Sequence, residues 1–270
     1  MIQATRKNMT GPAREVNAIL TVAYRDVLKF LRDPARLVQA LIFPIIFIGI
    51  LGGSFQSNIV GEGYNFLTFI FTGVLIQTLF QSTTSGIISL IEDRENDFSQ
   101  EIFISPISRY SIVFGKILGE SLVALVQGIG VIIFGIVFGV PFTLGNALGM
   151  IPIAIAACLL GGSFGLILLS SFGSQRAANQ ILPFLVFPQI FTAGVFNPIH
   201  NLPWYLDFLS RISPLRYAVD LARDVFYAGK PEYARVVLAG PLTNLTIMVA
   251  MFAVFLFIGT TVFVRSERNK

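Results

Sequence analysis

The stretch ALGMIPIAIAACLLGGSFGLILLSSF, residues 147–172, decides the fold class, and it contains no charged side chain. The hydrocarbon core of a bilayer is about 30 Å thick and takes about 20 apolar residues of helix. A helix over residues 147–172 is therefore long enough to cross a membrane. It is also apolar all round, which is typical of a helix that meets lipid or other helices rather than water.

The rest of the chain has the same character. Hydrophobic residues make up 54% of it and charged residues 13%, and the mean hydropathy is +0.75. Soluble domains carry about 25% charged residues. The sequence therefore predicts an all-α integral membrane protein with six transmembrane helices at about Leu37–Phe55, Phe66–Ile91, Ser111–Val140, Ala147–Phe172, Ile181–Ile199 and Leu242–Val264. The turn Gly139-Val140-Pro141, followed by Gly145, separates the third span from the fourth.

We expect one transmembrane domain over residues 1–270, with a leader (1–36), a six-span bundle (37–264) and a tail (265–270).

The distribution of basic residues predicts how this domain is oriented in the membrane. Seven of the 19 Lys and Arg residues lie in the leader, whereas the first two loops on the opposite side have none. Cytoplasmic loops are enriched in Lys and Arg, so both termini are expected in the cytoplasm, with the chain in the cytoplasmic (inner) membrane. The loop between spans five and six is an exception, with five basic residues.

The leader contains a basic amphipathic helix that Pro34 should end, because proline disfavours helical geometry at Asp33. Its apolar residues recur at three- and four-residue spacing: Val16, Ile19, Leu20, Ala23, Val27, Phe30 and Leu31. Its basic residues occupy other faces: Arg14, Arg25, Lys29 and Arg32. Such a helix is expected to lie flat on the membrane surface and contact lipid. The alternative is a solvated helix packed on a soluble partner.

The segment between spans two and three is dense in charge and ends in the apolar patch 102–104 before Ser105-Pro106. It is too short to span. A short helix that docks into a groove on another protein fits this pattern, and so does a solvated loop. The candidate contact residues are Glu92, Asp93, Arg94, Glu95, Phe98, Glu101, Phe103 and Pro106.

The fifth span is interrupted by Pro183, Pro188, Pro198 and Gly194, and a second amphipathic stretch follows at Pro214–Tyr227. Irregular backbone at membrane depth is tolerated only where protein or water covers it. We therefore predict a re-entrant region on the outer side, with Trp204 and Tyr205 at the level of the headgroups. Its candidate residues are Gly194, Asn197, Pro198, Pro203, Pro214, Tyr217 and Arg223.

The sequence offers no catalytic or metal site. His200 is the only histidine and Cys158 the only cysteine, so the usual zinc motifs cannot form. Gly115-Lys116 is followed by Ile117 and lacks the hydroxyl residue of a phosphate-binding loop, so any ATP must bind to another chain. A basic stripe with interleaved aromatics is also absent, which argues against nucleic acid.

Polar residues inside the spans are the remaining functional candidates. Gln39, Gln77, Gln81 and Gln127 either line a substrate path or bond neighbouring helices. At the entry to span three, Gly115, Lys116 and Glu120 stand out, and Lys116 is expected to pair with Glu120 four residues later. Small residues spaced by four allow close helix approach, at Gly115/Gly119, Gly135/Gly139 and Gly161/Gly165.

Two sequence motifs, one after the other along the chain, resemble those of the ABC-2 family of exporter permeases. The resemblance covers essentially the whole chain. One runs from Asp93-Arg94-Glu95 through the turn at residues 105–109 to Gly115-Lys116. The other runs from residues 193–198 through Leu202-Pro203 to residues 213–220 and Arg223. The chain departs from the family at Asp97, where glycine is frequent, and at Arg216, where threonine is frequent.

The resemblance implies the permease half of an exporter that moves a hydrophobic or amphipathic substrate, such as a drug, a lipid or a glycoconjugate. Daunorubicin-type and nodulation-type exporters look similar. Two permease copies, expected as a homodimer, would dock on two separate ATPase subunits, which would hold ATP and Mg. The segment Glu92–Ile104 would be the coupling helix, and the leader helix would add a second contact. The chain would not be an enzyme by itself.

Two other functions stay open. An ATP-independent transporter or channel should show paired intramembrane ions or an inverted repeat, and neither is clear. A membrane-embedded lipid-modifying enzyme would need a catalytic cluster.

Overall fold

A computed structural model describes residues 11–52, 64–91, 108–172 and 174–268. These residues are helical or loop, without a strand among them. The helices are α1 (Gly11–Leu31), α2 (Pro34–Ile46), α3 (Phe66–Ile88), α4 (Arg109–Val137), α5 (Leu144–Ser171), α6 (Gln175–Thr192), α7 (Trp204–Ile212), α8 (Pro214–Tyr227), α9 (Tyr233–Val236) and α10 (Pro241–Arg268). A π-helical segment, Phe47–Gly52, continues α2.

Polar side chains begin the membrane helices. The Asp33 carboxylate accepts a hydrogen bond from the backbone N–H of Arg36 at 3.0 Å, and Pro34 is the first residue of α2. Asn65 caps α3 in the same way. Thr143 and Asn146 form a reciprocal capping box at the start of α5. These caps satisfy backbone donors that the first turn leaves unpaired, so the break between α1 and α2 falls where Pro34 predicted it.

Five segments among the described residues are long and apolar enough to cross a membrane: Pro34–Gly52, Phe66–Ile88, Tyr110–Val137, Leu144–Ser171 and Tyr233–Arg265. The predicted fifth span, Ile181–Ile199, is not among them. Its counterpart α6 has 18 residues and begins with the polar sequence Gln-Arg-Ala-Ala-Asn-Gln, which lowers its hydropathy. An all-helical membrane fold is confirmed, while the sixth span stays a prediction.

The bounds of α6 also correct the sequence prediction. Pro183 and Pro188 lie inside the helix rather than breaking it. The helix ends at Thr192 because Gly194 adopts a φ of +74°, a backbone conformation that glycine reaches without steric cost. Residues 193–199 therefore form a turn instead of a last helical turn.

Helix α3 lies at the centre of the bundle, with buried side chains on every face. It packs against α5 through the predicted pair Gly161 and Gly165. A Cβ atom on Gly161 would lie 2.4 Å from the carbonyl oxygen of Phe80, and one on Gly165 would lie 2.7 Å from that of Thr84. The hydroxyl of Thr84 donates to the carbonyl of Gly161 at 2.9 Å. Small residues thus allow the backbone contact that packs helices in lipid.

The leader helix α1 packs along the first half of α4, which neither sequence alternative anticipated. Gly115 and Gly119 form the contact, since a Cβ on Gly119 would lie 2.9 Å from the Cα of Ala23. Ala23 is buried in this contact, and Phe30, further along α1, is also buried. A second apolar face of α1 stays exposed, at Val16, Leu20, Tyr24 and Leu31. The face that we expected against lipid is therefore divided between a membrane helix and the surface.

Of the third small-residue pair, only one member makes a helix contact. A Cβ on Gly135 would meet the ring of Phe71, whereas Gly139 has open space around it and a φ of +95°. Gly139 ends α4 at the predicted turn. Gly145, which we had placed in the same break, lies in the first turn of α5.

Outward faces of several helices are strongly apolar. Phe184 on α6 is 80% exposed and Phe257 on α10 is 74% exposed. In water such side chains would be a liability, but in a bilayer they contact hydrocarbon.

Candidate functional site

The four candidate glutamines of the predicted spans line one cavity. It has a volume of about 690 Å³ and lies between α2, α3, α4 and α6. Gln39 comes from α2, Gln77 and Gln81 from α3, and Gln127 from α4. Residues far apart in sequence are thus brought together, because each occupies the face of its helix that points to the same space.

Helical periodicity sets the polar side of the cavity. Gln77 and Gln81 are one turn apart on α3, and the Gln77 amide donates to the Gln81 carbonyl oxygen at 3.4 Å. Ser85 continues this row. Gln77 is 2% exposed and Gln127 is 8% exposed. Their amide groups carry both donors and acceptors, so this wall can bind neutral polar groups of a ligand.

The wall that α2 and α6 build is apolar apart from Arg36, Gln39 and Asn179. Phe43 and Pro44 face it from α2, while Val186, Phe187 and Ile190 face it from α6. Pro183 on α6 also contributes. A cavity with one amide wall and one hydrocarbon wall is suited to a ligand that is itself amphipathic.

A buried group of charges lies beside the cavity, where α1, α2 and α4 meet. The Lys116 ammonium contacts the Glu120 carboxylate at 2.8 Å and the Asp26 carboxylate at 3.1 Å. Arg25 binds the other oxygen of Asp26 at 2.7 Å. Arg36 lies 3.8 Å from the second oxygen of Glu120. The predicted Lys116–Glu120 pair is therefore present, and it belongs to a larger cluster that joins the leader helix to α4.

Gly86 of α3 has no side chain, and this leaves room for the cluster. The Glu120 carboxylate lies where a side chain on Gly86 would be, since a Cβ there would be 2.1 Å from its oxygen. Lys116 is 3% exposed and Glu120 is 1% exposed. Burial of charge is tolerated only when the charges are paired, so each member of the cluster depends on the others.

Sequence reasoning missed three charged residues of this region. Asp26 lies on the buried face of α1 between Ala23 and Phe30, and an acid at that spacing was the available signal. Arg36 was counted only as a basic residue of the leader. Glu15 accepts hydrogen bonds from the backbone N–H of Ser108 at 3.1 and 3.3 Å, a contact that no local pattern announces.

The predicted interface residues of α1 have different surroundings. Arg25 is half-buried against Asp26, whereas Arg14, Lys29 and Arg32 are exposed. The eight candidate coupling residues, from Glu92 to Pro106, lie outside the described residues. Ser108, just after that segment, begins α4 and is held by Glu15 of α1.

In the predicted re-entrant region, two of the seven residues meet at one point. Arg223 of α8 donates to the carbonyl oxygen of Gly194 at 2.5 Å and its guanidinium lies 3.6 Å above the ring of Phe69. Arg223 is 1% exposed, and burial lowers its pKa to about 10, so it stays charged at neutral pH. The turn itself rests on Gly73 of α3, where a Cβ would lie 2.6 Å from the carbonyl oxygen of Val195.

The other five re-entrant candidates serve local structure. Asn197 bonds the carbonyl of Pro198 at 3.4 Å, Pro203 precedes α7, and Pro214 begins α8. Tyr217 donates to the carbonyl of Arg211 at 2.7 Å. The amphipathic helix α8 has the bounds predicted for it, Pro214–Tyr227, and Trp204 is 84% exposed.

No group of three or more His, Cys, Asp or Glu side chains able to hold a metal occurs in the described part of the chain. His200 is exposed and contacts the carbonyl of Arg235 at 2.8 Å, a contact between a turn and α9. The cavity with its glutamines is therefore the strongest candidate site among the described residues.

Comparison with known proteins identifies the family of the chain. The profile described as ABC-2 type transporter matches residues 17–227. Ycf38 of Cyanophora paradoxa, described as a transport permease, is 22% identical over 216 residues, covering 78% of this chain and 74% of its own. DrrB1 of Streptomyces coeruleorubidus, described as a daunorubicin resistance ABC transporter permease protein, is 21% identical over 222 residues, covering 80% of this chain and 78% of its own.

A third relative matches a shorter part. YbhR of Escherichia coli (strain K12), described as a multidrug ABC transporter permease, is 28% identical over 150 residues, which are 53% of this chain and 40% of its own. The family profile spans both sequence motifs and every helix from most of α1 to α8. The chain therefore belongs to the ABC-2 type transporter family, as a membrane-spanning transport permease rather than an enzyme by itself.

Proposed function

We propose that this chain is the permease subunit of an ATP-binding-cassette exporter in the cytoplasmic membrane. Two copies, as a homodimer, would work with two separate ATPase subunits that hold ATP and Mg. The substrate is hydrophobic or amphipathic and passes through the cavity between α2, α3, α4 and α6. One observation carries this proposal: four intramembrane glutamines from three helices converge on that cavity.

The packing of α6 supports a sixth crossing. Near its start, Ala178 is buried in an apolar cluster with Ile87 and Ile91, at one end of α3. Just beyond its end, Val195 rests on Gly73, near the other end of α3. Residues 73 and 87 of a helix are about 21 Å apart along its axis, at 1.5 Å per residue. Helix α6 thus runs beside α3 over most of the depth of a membrane.

With six crossings, both termini lie on one side, and the excess of basic residues favours the cytoplasm for that side. The turn at Gly194 and helices α7 and α8 then face outward. The exposed aromatics Trp204 and Tyr205 suit the outer interface.

Contacts of the leader helix support a path for coupling. The segment Glu92–Ile104, which we propose as the coupling helix, leads directly into Ser108 and α4. Glu15 holds Ser108, and Lys116 joins Asp26 of α1 to Glu120 of α4. A displacement of the coupling segment by an ATPase would therefore move α1 and α4 as one unit, and α4 carries Gln127 of the cavity.

The test uses the chain purified from its native membranes together with its ATPase and reconstituted in nanodiscs and vesicles. We expect Glu95→Ala and Phe103→Ala to uncouple ATP hydrolysis from transport of a fluorescent amphiphile, while insertion is unchanged. Phe208→Ala, an exposed aromatic on α7, is the control that should keep both. Wild-type transport in both coupling variants would remove the reason to place the ATPase contact there, and transport without any ATPase would contradict the exporter itself.

A further inference from the structure

Among the described residues that line the cavity, Arg36 alone carries a charge. The other lining residues are amides, hydroxyl residues, alanine, leucine, valine, isoleucine, proline and phenylalanine. An acid is missing from that lining. The single formal charge on the lining is therefore this guanidinium, which belongs to the first turn of α2.

Arg36 is held in position but keeps capacity to bind. Its guanidinium lies 5.7 Å from the centre of the Phe30 ring and 3.8 Å from Glu120. Lys116 takes the nearer contact with Glu120, at 2.8 Å. Charge-assisted hydrogen bonds of arginine are about 2.7–2.9 Å long, so the contact with Glu120 is a loose one. The side chain is 35% exposed, and a guanidinium has five N–H donors.

The position of Arg36 relative to the glutamines determines how a bound ligand would be oriented in the cavity. Gln39 follows it by three residues on α2 and therefore lies on the same face of the helix. Ser85, Gln81 and Gln77 extend along α3 over about 12 Å, at 1.5 Å per residue, and Ile190 belongs to the apolar wall. A ligand bound by Arg36 at one end would place its neutral polar part on the amides and its hydrocarbon part on α6.

We propose that the substrate is an amphiphile with an acidic headgroup (a phosphate, sulfate or carboxylate) and that Arg36 is the residue that selects it. This inference rests on the proposed function and adds the charge of the substrate to it. Glu120 competes with the headgroup for Arg36, so ligand binding also loosens the contact between α2 and the charge cluster on α4.

The experiment measures binding to the purified chain in nanodiscs of zwitterionic lipid, by thermal unfolding at increasing ligand concentration. The probes are decyl phosphate, decyl maltoside, decyltrimethylammonium and inorganic phosphate. We expect the wild type to bind decyl phosphate at least tenfold more tightly than the neutral or cationic amphiphile. Inorganic phosphate at the same concentrations should have no effect, because it lacks the apolar part.

The variants assign the preference to Arg36. Arg36→Gln should lose it, with decyl phosphate bound at least tenfold more weakly, and Arg36→Lys should retain part of it. Arg176→Gln removes an exposed cation on α6 and should bind like the wild type. Glu120→Gln should tighten binding of decyl phosphate, because the competing carboxylate is gone. A misfolded protein would not show that gain.

Outcomes separate this inference from the proposed function. Three results would overturn the proposal of an acidic headgroup. They are equal binding of the anionic and cationic amphiphiles, unchanged affinity of Arg36→Gln for decyl phosphate, and equal protection by inorganic phosphate. If Gln77→Leu and Gln127→Leu still weaken binding of decyl maltoside, the cavity remains the substrate path. If both variants bind every amphiphile like the wild type, the cavity is not that path and the proposed function loses its support.

Discussion

At the scale of single residues, two ion pairs of this chain form a natural comparison. Lys116–Glu120 and Arg211–Asp207 are both spaced by four residues on a helix, and both have an N–O distance of 2.8 Å. They differ in burial, since the Lys116 side chain is 3% exposed and that of Arg211 is 69% exposed. A hydrogen bond from Arg211 lowers the pKa of Asp207, but water screens such a pair. Although the two ion pairs have the same geometry, the buried pair should therefore contribute more to stability than the exposed pair.

We expect Lys116→Gln to lower the thermal stability of the purified chain far more than Arg211→Gln. Removing Lys116 leaves Asp26 and Glu120 buried without their shared cation, and breaking a buried pair costs about 3–5 kcal/mol. Thermal unfolding in one detergent, monitored by circular dichroism, measures both variants. Comparable losses of stability in the two would show that burial of the cluster carries no special energetic weight.

Arg223 allows a second test at this scale, because its shape matters as well as its charge. Arg223→Lys keeps the positive charge but loses the planar group that stacks on Phe69 and reaches Gly194. Lysine does not replace arginine where the contact is a stacked one. We expect Arg223→Lys to lower the unfolding temperature by several degrees, whereas Arg176→Lys, at an exposed position, should leave it unchanged. Equal stability of Arg223→Lys and the wild type would contradict a structural role for the stacked guanidinium.

At the scale of helices, close approach between α3 and α5 depends on glycine. We expect Gly161→Ala to destabilise the chain, even though alanine is the better helix former by about 1 kcal/mol. The new Cβ would lie 2.4 Å from the backbone carbonyl oxygen of Phe80, which the helical backbone of α3 holds in place. Gly145→Ala is the matched control, since its nearest neighbour would be 3.7 Å away, and it should be neutral or slightly stabilising. The unfolding temperatures of the two variants test this prediction. A Gly161→Ala variant as stable as the wild type would show that α3 and α5 can separate without loss of stability.

Helix-scale features were predictable where the signal is local. Pro34, Gly139 and the amphipathic period of residues 214–227 each act within a few residues of themselves, and each boundary fell where it was expected. The partner of α1 was not predictable in this way. Gly115 and Gly119 indicate that another helix packs closely against α4. The identity of that helix depends on the ion pair between Asp26 and Lys116, which are 90 residues apart in sequence. Helical periodicity does not contain this information.

At the scale of the molecule, hydropathy predicted the class and five of the spans, because lipid imposes a length and a composition on each crossing helix. Helix α6 does not meet this criterion of length and hydropathy. It is shielded on one side by α3 and lines the cavity with Asn179, so it tolerates polar residues that a lipid-facing helix would not. The grouping of four glutamines around one space likewise depends on how the helices are rotated, and the sequence left open whether they bond to one another or to a ligand.

Cysteine labelling decides whether α6 crosses the membrane. The native Cys158 is fully buried, so the wild type should not react with a membrane-impermeant maleimide. Lys230→Cys and Thr21→Cys place a thiol at exposed positions, after α8 and on α1. With six crossings and cytoplasmic termini, Lys230→Cys should react from outside the cytoplasmic membrane, and Thr21→Cys only after the membrane is permeabilised. If α6 does not cross, both positions lie on the same side and are protected together, which would leave five spans and a C-terminus outside. The reverse pattern, with Thr21→Cys reactive from outside, would keep six spans but invert the chain, and no ATPase in the cytoplasm could then reach α1.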